Sequence, residues 1–276
     1  IYLYSFGEKE DEYTQRAKQS GCIFRKIHKL NDIETVELAR KDKIDIAVDL
    51  MGFTGSKRNM NRFSIFSYKV APIQINYLGY PGSLGTDKID YIIADKVVIP
   101  NGYEKFYTEK IIRMPNCYLC NDDKMEISKE RFSRKDFNLP EKGFVFTCFN
   151  GSKKITPIEF DIWMRLLSKV KGSVLWLHGS NKWAIKNLLK EAEKRNIDKN
   201  RIIFISHIES SKHLARHSLG DLGLDTFNFN GCTTSSFGLW AGLPILTKIG
   251  ESWPARMNAS LLHALDLPEL ITYSEK

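Results

Sequence analysis

The second half of the chain alternates short apolar segments with helical segments, and this alternation is the strongest constraint on the fold. Five segments have the length and composition of buried strands: FVFTCF, SVLWLHG, RIIFIS, LGLDT and PILTK. A segment with helical character follows each of them. Strands that are joined through helices of this length must run parallel, with right-handed crossovers. Residues 144–276 are therefore predicted to form a doubly wound, Rossmann-like sheet.

The helix that follows FVFTCF carries a clear start signal. Thr156 is the expected N-cap, Pro157 occupies the first helical position, and Glu159 completes a capping box. Its apolar face is predicted from a repeat at every fourth residue: Ile158, Ile162, Leu166 and Val170.

The first half is also α/β, but its pattern is less regular. A helix is expected over DIETVELARKD, and strands over IDIAVDL, APIQINYL and YIIADKVVI, with the turn-rich loop LGYPGSLG at 78–85. The chain begins at Ile1 inside IYLYSF, which itself resembles a strand, so we expect it to be part of a longer protein. The polar segment 121–143 is interpreted as a linker between a partial first lobe, 1–120, and a truncated second lobe, 144–276.

Composition and charge narrow the class of protein. The 276 residues are 42% hydrophobic and 27% charged, as in ordinary soluble proteins. The net charge of +8 comes from scattered residues, so no nucleic-acid partner is expected. No apolar run reaches the ~18 residues that a membrane span needs. Cys117 and Cys120 form a lone C-x-x-C, which predicts no metal or redox site, and the odd count of five cysteines favours a reduced, cytoplasmic protein.

The segment NGCTTSS has the composition of a helix start that binds an anion. Gly231 allows close approach to the backbone, and Cys232, Thr233 and Thr234 lead into a helix whose first N–H groups lack partners. Ordinary capping of a core helix by Thr or Ser is the alternative, and the residues alone do not decide between the two.

Two further segments point to the same edge of the sheet. Lys153 or Lys154, in FNGSKK, follows the first strand of this half. His213, Arg216 and His217 lie at i, i+3 and i+4, on one helical face, where they either contact a heterocycle or are surface residues. Since parallel strands end at one edge, the three segments together predict a site for a nucleoside diphosphate.

These residues also carry a family resemblance. The chain resembles the catalytic region of the O-linked N-acetylglucosamine transferase family, the SPINDLY-like glycosyltransferases. The matching motifs run in order along almost the whole chain: VDLMGFT, APIQINYLGYPGSLG, DYIIAD, FVFTCFN, SVLWL, NRIIF, HLARHSLGDLGLDT, NGCTTSSFGLWAGLP and ARMNASLL.

The resemblance implies a GT-B fold with two Rossmann-like lobes, the first incomplete at its N-terminus. It also implies a UDP-sugar donor and a protein or peptide acceptor, whose Ser or Thr hydroxyl attacks with inversion and without a metal. Lys154 matches the lysine that contacts the diphosphate, and Thr233 with Thr234 match the pair at the helix start. His213 and Arg216 match the residues that flank the uracil.

In the first lobe, the resemblance places Leu78, Gly79 and Pro81 in the loop near the donor sugar. The family's active-site histidines are expected upstream of Ile1. Tetratricopeptide repeats are common upstream in the family, and the sequence leaves open whether they precede this region.

Four positions depart from the family pattern. Cys232 replaces a histidine, Phe237 an aspartate that binds the ribose, and Gly151 a glutamine. Gly55 replaces a lysine, with Lys57 two residues further on. These changes keep two alternatives open: a GDP-sugar donor, as in fucosyl transfer, and a non-catalytic lobe that binds nucleotides or partners.

Overall fold

The chain divides into two compact units, Ile1–Met114 and Pro115–Lys276. The computed structural model describes residues 1–55, 61–179 and 181–275. Lys57, noted above as a possible substitute for the family lysine, lies outside the described residues. Each unit is an α/β structure in which the strand pairs run parallel.

The first unit contains two parallel sheets. Strands β1 and β2 pair with each other, and a second sheet has the order β3-β4-β5-β6. The strands are β1 (Tyr2–Ser5), β2 (Ile23–Lys26), β3 (Ile46–Asp49), β4 (Ile73–Asn76), β5 (Tyr91–Ala94) and β6 (Lys110–Arg113). The helices are α1 (Glu12–Gln19), α2 (Asp32–Lys41) and α3 (Ser64–Ser67). The helix and strands expected from the sequence are thus confirmed, and β2, β6 and α1 are additional.

The second unit is built on one six-stranded parallel sheet with the order β12-β11-β10-β7-β8-β9. The strands are β7 (Val145–Cys148), β8 (Val174–His178), β9 (Ile202–Ile205), β10 (Leu222–Leu224), β11 (Ile245–Lys248) and β12 (Ile271–Thr272). The helices are α4 (Pro157–Lys169), α5 (Lys182–Lys194), α6 (Ser210–Arg216), α7 (Thr233–Trp240) and α8 (Met257–Ala264). The five predicted strands and the doubly wound topology are confirmed. The strand order reverses between β7 and β10, and ligands bind such sheets at this reversal.

Helix α4 begins as predicted, but its most buried face is not the predicted one, although Leu166 and Val170 of the predicted set pack against the core. Thr156 is the N-cap, and Glu159 completes the capping box. Ile158, however, is 49% exposed. The helix buries the set at i, i+3, i+4 and i+7 instead: Phe160, Trp163, Met164 and Leu167. A repeat of four advances 400° in a helix and drifts off one face, whereas the 3-4 spacing stays on it.

The segment 121–143, interpreted as a linker, lies within the second unit. The Ser236 hydroxyl donates to the Asn121 side-chain oxygen at 2.7 Å, and the Ser128 N–H donates to the Ser211 carbonyl at 3.1 Å. These bonds tie the segment to α6 and α7. The sequence did not predict this packing, because the segment has few apolar side chains and polar contacts leave no periodic pattern.

Two findings concern the whole described chain. Within residues 1–55, 61–179 and 181–275, no helix is long and apolar enough to cross a membrane. All five cysteines are free, and the two of the C-x-x-C segment differ in exposure: Cys117 is partly buried, with its sulfur 3.2 Å from the Ser260 hydroxyl, and Cys120 is exposed.

Replacing Leu167 with Ala tests the buried face of α4. Leu167 is 1% exposed, so its truncation should lower the free energy of unfolding of the second unit by about 3 kcal/mol. Ile158→Ala, on the face expected from the sequence, should change it by less than about 0.5 kcal/mol. All five tryptophans lie in the second unit, so urea denaturation followed by tryptophan fluorescence reports on it directly. Equal losses in the two variants would contradict the assignment.

Candidate functional site

The carboxyl ends of β7 and β10, where the strand order reverses, are the centre of the candidate site. Asn150 follows β7 by two residues, and Asp225 follows β10 directly. Both side chains are buried, and the Asn150 amide donates to the Asp225 carboxylate at 3.1 Å. The two strand ends are therefore joined by side chains as well as by the sheet.

The Asp225 carboxylate accepts five hydrogen bonds, although it is only 2% exposed. Three go to one oxygen and two to the other. The donors are the N–H groups of Thr226 (2.8 Å) and Gly231 (2.7 Å), the amides of Asn150 (3.1 Å) and Asn258 (3.0 Å), and the Thr247 hydroxyl (2.7 Å). Burial raises the pKa of Asp225, and the hydrogen bonds oppose that shift. The carboxylate thereby fixes both ends of the loop from Thr226 to Gly231.

Gly231 is required by packing inside this loop. A Cβ atom there would lie 2.9 Å from the Asn150 side-chain oxygen and would also overlap the Ser235 hydroxyl. The space next to this glycine is thus filled by the protein itself. That a ligand approaches the Gly231 backbone remains a prediction.

Helix α7 starts at Thr233, next to this loop. Cys232 is its N-cap and forms no side-chain cap hydrogen bond, so neither threonine serves as the N-cap and the capping alternative loses its support. The first-turn N–H groups have no intrahelical acceptors and lie at the positive end of the helix dipole. Thr233 is exposed and Thr234 partly exposed.

The Cys232 side chain forms no cap hydrogen bond with α7 and contacts Tyr118. Its sulfur lies 3.4 Å from the Tyr118 hydroxyl, and Tyr118 is 1% exposed. Burial raises the pKa of the Cys232 thiol. A neutral thiol with this contact is a weak donor to an anion, so the backbone of α7 supplies most of the donors here.

Lys154, rather than Lys153, reaches the loop before α7. Its ammonium donates to the Asn230 carbonyl at 2.8 Å and lies 4.2 Å from the centre of the Phe229 ring. Burial lowers the pKa of Lys154, whereas Lys153 is exposed. The structure therefore brings Lys154 together with Gly231, Cys232 and the start of α7.

His213, Arg216 and His217 form one cluster with Phe149, which precedes Asn150. The Phe149 ring lies 5.5 Å from the His213 ring and 5.1 Å from the His217 ring. Arg216 and His217 are buried, so the alternative that these are surface residues is wrong for both; His213 is partly exposed. His213 is thus the member of the cluster that a ligand can reach.

Hydrogen bonds and burial fix the protonation states of these side chains and the tautomer of His213. The Arg216 Nε–H donates to His213 Nδ1 at 2.8 Å, which leaves the hydrogen of a neutral imidazole on Nε2. Burial lowers the pKa of His213 to about 3, that of His217 to about 4 and that of Arg216 to about 10. Arg216 is still a cation near neutral pH, and it orients a neutral His213.

The predicted donor-sugar loop belongs to the first unit, where it follows β4. Leu78 has a φ of 74°, which is strained for a residue with a side chain, and the Gly79 N–H donates to the Tyr77 carbonyl at 2.9 Å. A Cβ on Gly79 would overlap the Leu50 backbone. Pro81 lies in the same loop and is partly exposed. These residues lie in a different unit from Lys154 and α7.

The other three positions that depart from the family pattern, Gly151, Phe237 and Gly55, differ in the space around them and in backbone conformation. A Cβ on Gly151 would meet no atom within 4 Å, so a larger side chain fits there. Phe237 is partly buried in α7. Gly55 has a φ of 127°, a value that favours glycine.

Sequence reasoning missed Asp225, Asn150, Tyr118 and Phe229. One available signal was the aspartate at the end of an otherwise apolar strand, since a charge in that position must find several donors. No sequence signal marks Tyr118 or Phe229, because their partners lie far away in the chain or come from another loop.

The fold and the geometry of the sheet edge define a class of protein. It is a doubly wound α/β protein in which a lysine and a helix N-terminus lie at the reversal of strand order, as in proteins that bind nucleotides. The chain belongs to glycosyl transferase family 41, whose model matches residues 1–132 and 126–276. The resemblance noted in the sequence is thereby confirmed.

Similar proteins support this assignment. The chain is 32% identical to the probable UDP-N-acetylglucosamine–peptide N-acetylglucosaminyltransferase SEC of Arabidopsis thaliana, over all of this chain and 29% of that protein. It is 30% identical to the SPINDLY protein of Solanum lycopersicum, which bears the same enzyme name, over all of this chain and 30% of that protein. The chain thus spans about a third of the length of these relatives.

A solved structure shows the same fold. A mutant of the O-GlcNAc transferase from Thermobaculum terrenum matches with a TM-score of 0.89 and 30% identity, over 99% of this chain and 51% of that one. The predicted GT-B type of fold, with Rossmann-like units, is confirmed.

Replacing Asp225 with Asn tests whether one carboxylate organises the sheet edge. In asparagine one carboxylate oxygen is replaced by an NH2 group, which would face N–H or O–H donors that now bind that oxygen. The free energy of unfolding of the second unit should therefore fall by about 3 kcal/mol. Thr247→Val, which removes a single donor, should cost only about 1 kcal/mol. Urea denaturation monitored by tryptophan fluorescence measures both; equal small losses would show that Asp225 has no special role.

The buried histidines predict a loss of stability in mild acid. The pKa of His217 is about 4 when folded and about 6.5 when unfolded, so the stability present above pH 6.5 is lost as the pH falls towards 4. Between pH 7 and pH 5, His217 alone should account for about 2 kcal/mol. His217→Phe should flatten this dependence in denaturation curves measured at several pH values. An unchanged slope would mean that His217 has the same pKa in the folded and the unfolded protein.

Proposed function

We propose that this chain is the donor-binding part of a glycosyltransferase that moves N-acetylglucosamine from UDP-GlcNAc to Ser and Thr hydroxyls of proteins, with inversion. The donor nucleotide occupies the carboxyl edge of the second-unit sheet. Its diphosphate lies against the start of α7, with Lys154 beside it, and its base lies against His213.

One observation carries this proposal: Lys154 and the uncapped N-terminus of α7 converge on the loop that Asp225 holds. An ammonium group and first-turn N–H groups without intrahelical acceptors suit a diphosphate in both charge and geometry. The partly exposed neutral His213, at the neighbouring strand ends, offers a ring face and an N–H to a base.

The choice of substrates rests on the family. The relatives described above are both named as probable UDP-N-acetylglucosamine–peptide N-acetylglucosaminyltransferases. Since this chain spans about a third of their length, activity, donor and acceptor are proposed here for the protein to which the chain belongs. The first-unit loop with Leu78, Gly79 and Pro81 is proposed to face the sugar.

The proposed chemistry uses no metal cofactor. When the glycosidic bond breaks, negative charge grows on the leaving diphosphate, and Lys154 with the α7 dipole stabilises that charge. The proposed setting is the cytoplasm, with protein acceptors and neither membrane nor nucleic acid as a partner.

A different donor, such as a GDP-sugar, is the second candidate. The contact of the Cys232 sulfur with the Tyr118 hydroxyl favours it, because a cysteine held in this way cannot make the contacts of the histidine that the family has before the threonine pair. A non-catalytic lobe that binds nucleotides or partners is the third.

Calorimetric titration of the chain with UDP, GDP and ADP distinguishes these candidates. UDP should bind most tightly, and Lys154→Met should weaken it about tenfold or more, because a charge-assisted contact is lost. Lys153→Met is the matched control: it removes a neighbouring exposed lysine and should change the affinity by less than twofold.

The alternatives give different results in the same titrations. A preference for GDP would replace the proposed donor. Equal effects of the two lysine variants would remove Lys154 from the site. Failure of a folded chain to bind any nucleotide would favour a non-catalytic lobe that binds partners instead, and unfolding curves of each variant establish that it is folded.

A further inference from the structure

The Lys154 ammonium is held by two adjacent residues of a different loop. It donates to the Asn230 carbonyl at 2.8 Å and lies 4.2 Å from the centre of the Phe229 ring. Lys154 itself comes from the short turn after β7, whereas Phe229 and Asn230 lie between β10 and α7. The side chain therefore bridges the two strand ends at which the sheet order reverses.

The positive charge of Lys154 is stabilised by an aromatic ring and a carbonyl group rather than by an ion pair. Among the described residues no carboxylate forms an ion pair with it, and the acidic group that acts most strongly on it, Asp225, already accepts five hydrogen bonds. The ring face of Phe229 and one carbonyl dipole are what remain close to the ammonium. An aromatic face attracts a cation without neutralising it, so the charge stays available to an anion.

Phe229 is a large apolar residue that is 39% exposed. By contrast, large apolar side chains of the core of this unit, such as Trp176 and Leu167, are almost fully buried. The contact of Phe229 with Lys154 gives the ring a role at the surface that packing does not supply.

We propose that Phe229 is a positioning residue: its ring face, together with the Asn230 carbonyl, holds the Lys154 ammonium at the start of α7 for the diphosphate of the donor. The identity of the ligand rests on the proposed function, whereas the contact between ring and ammonium does not. The ring acts through Lys154 and takes no part in the chemistry itself.

The first test measures Lys154 without any ligand. The rate at which Lys154 reacts with an acetylating reagent, followed by mass spectrometry from pH 7 to 11, gives its pKa in the full chain. In Phe229→Leu the pKa should fall by about half to one pH unit, because the ring favours the charged form. Phe229→Tyr keeps the aromatic face and should restore most of the shift.

Phe227→Leu is the matched control. Phe227 lies two residues away and has a different lysine, Lys248, 5.1 Å from its ring centre. Its replacement should leave the reactivity of Lys154 unchanged. If Phe229→Leu leaves the Lys154 pKa unchanged as well, or Phe227→Leu shifts it equally, the proposal is wrong whatever the chain binds.

The second test measures UDP binding by calorimetry. Phe229→Leu should weaken UDP about three- to tenfold, with the loss of affinity at high pH beginning at lower pH than in the wild type. In a Lys154→Met background the same change should have no further effect, since the ring acts only through the lysine. Tighter binding in Phe229→Leu, or an equal loss in the Lys154→Met background, would overturn the positioning role.

The two tests separate the two proposals. If the pKa of Lys154 falls in Phe229→Leu but the wild-type chain binds no UDP, the ring still positions the ammonium, and the donor assigned under the proposed function is what fails. Thermal denaturation of each variant shows whether it is folded.

Discussion

A single buried carboxylate organises the edge of the second-unit sheet. Asp225 ends β10 and collects donors from the end of β7, from β11, from α8 and from both ends of its own loop. A carboxylate buried to this degree is stable only when hydrogen-bond donors surround it. The positions of those donors are therefore fixed together with the position of Asp225. The position of α7, which starts two residues after Gly231, depends on this constraint.

The electrostatics of the candidate site follow from that arrangement. Because its five hydrogen bonds occupy Asp225, the carboxylate holds the loop and does not pair with Lys154. The lysine is left with a carbonyl and a ring face, beside a helix terminus whose N-cap contributes no side-chain hydrogen bond. Lys154 and the positive end of the α7 dipole thus lie on the same side of the sheet edge, where the proposed diphosphate would bind.

The part of the sheet edge that is proposed to bind the base is built differently. Arg216 is buried next to Phe149 and donates to His213, so that a neutral imidazole with a defined tautomer reaches the surface. The sequence spacing of these residues predicted that they share a helical face. Which of them is accessible depended on the rings of Phe149 and Phe137, which lie more than sixty residues away in the chain.

What the sequence alone determined is local or periodic: the alternation of strands and helices, the capping box of α4, and the threonine pair at the start of α7. Such features depend on neighbours within a few residues, and parallel topology follows from them by chain connectivity. Tertiary structure alone decided which face of α4 is buried, that segment 121–143 packs on α6 and α7, and that Asp225, Tyr118 and Phe229 contribute to the site. Those outcomes depend on distant parts of the chain meeting in space, and side-chain hydrogen bonds and ring contacts leave no periodic trace in a sequence.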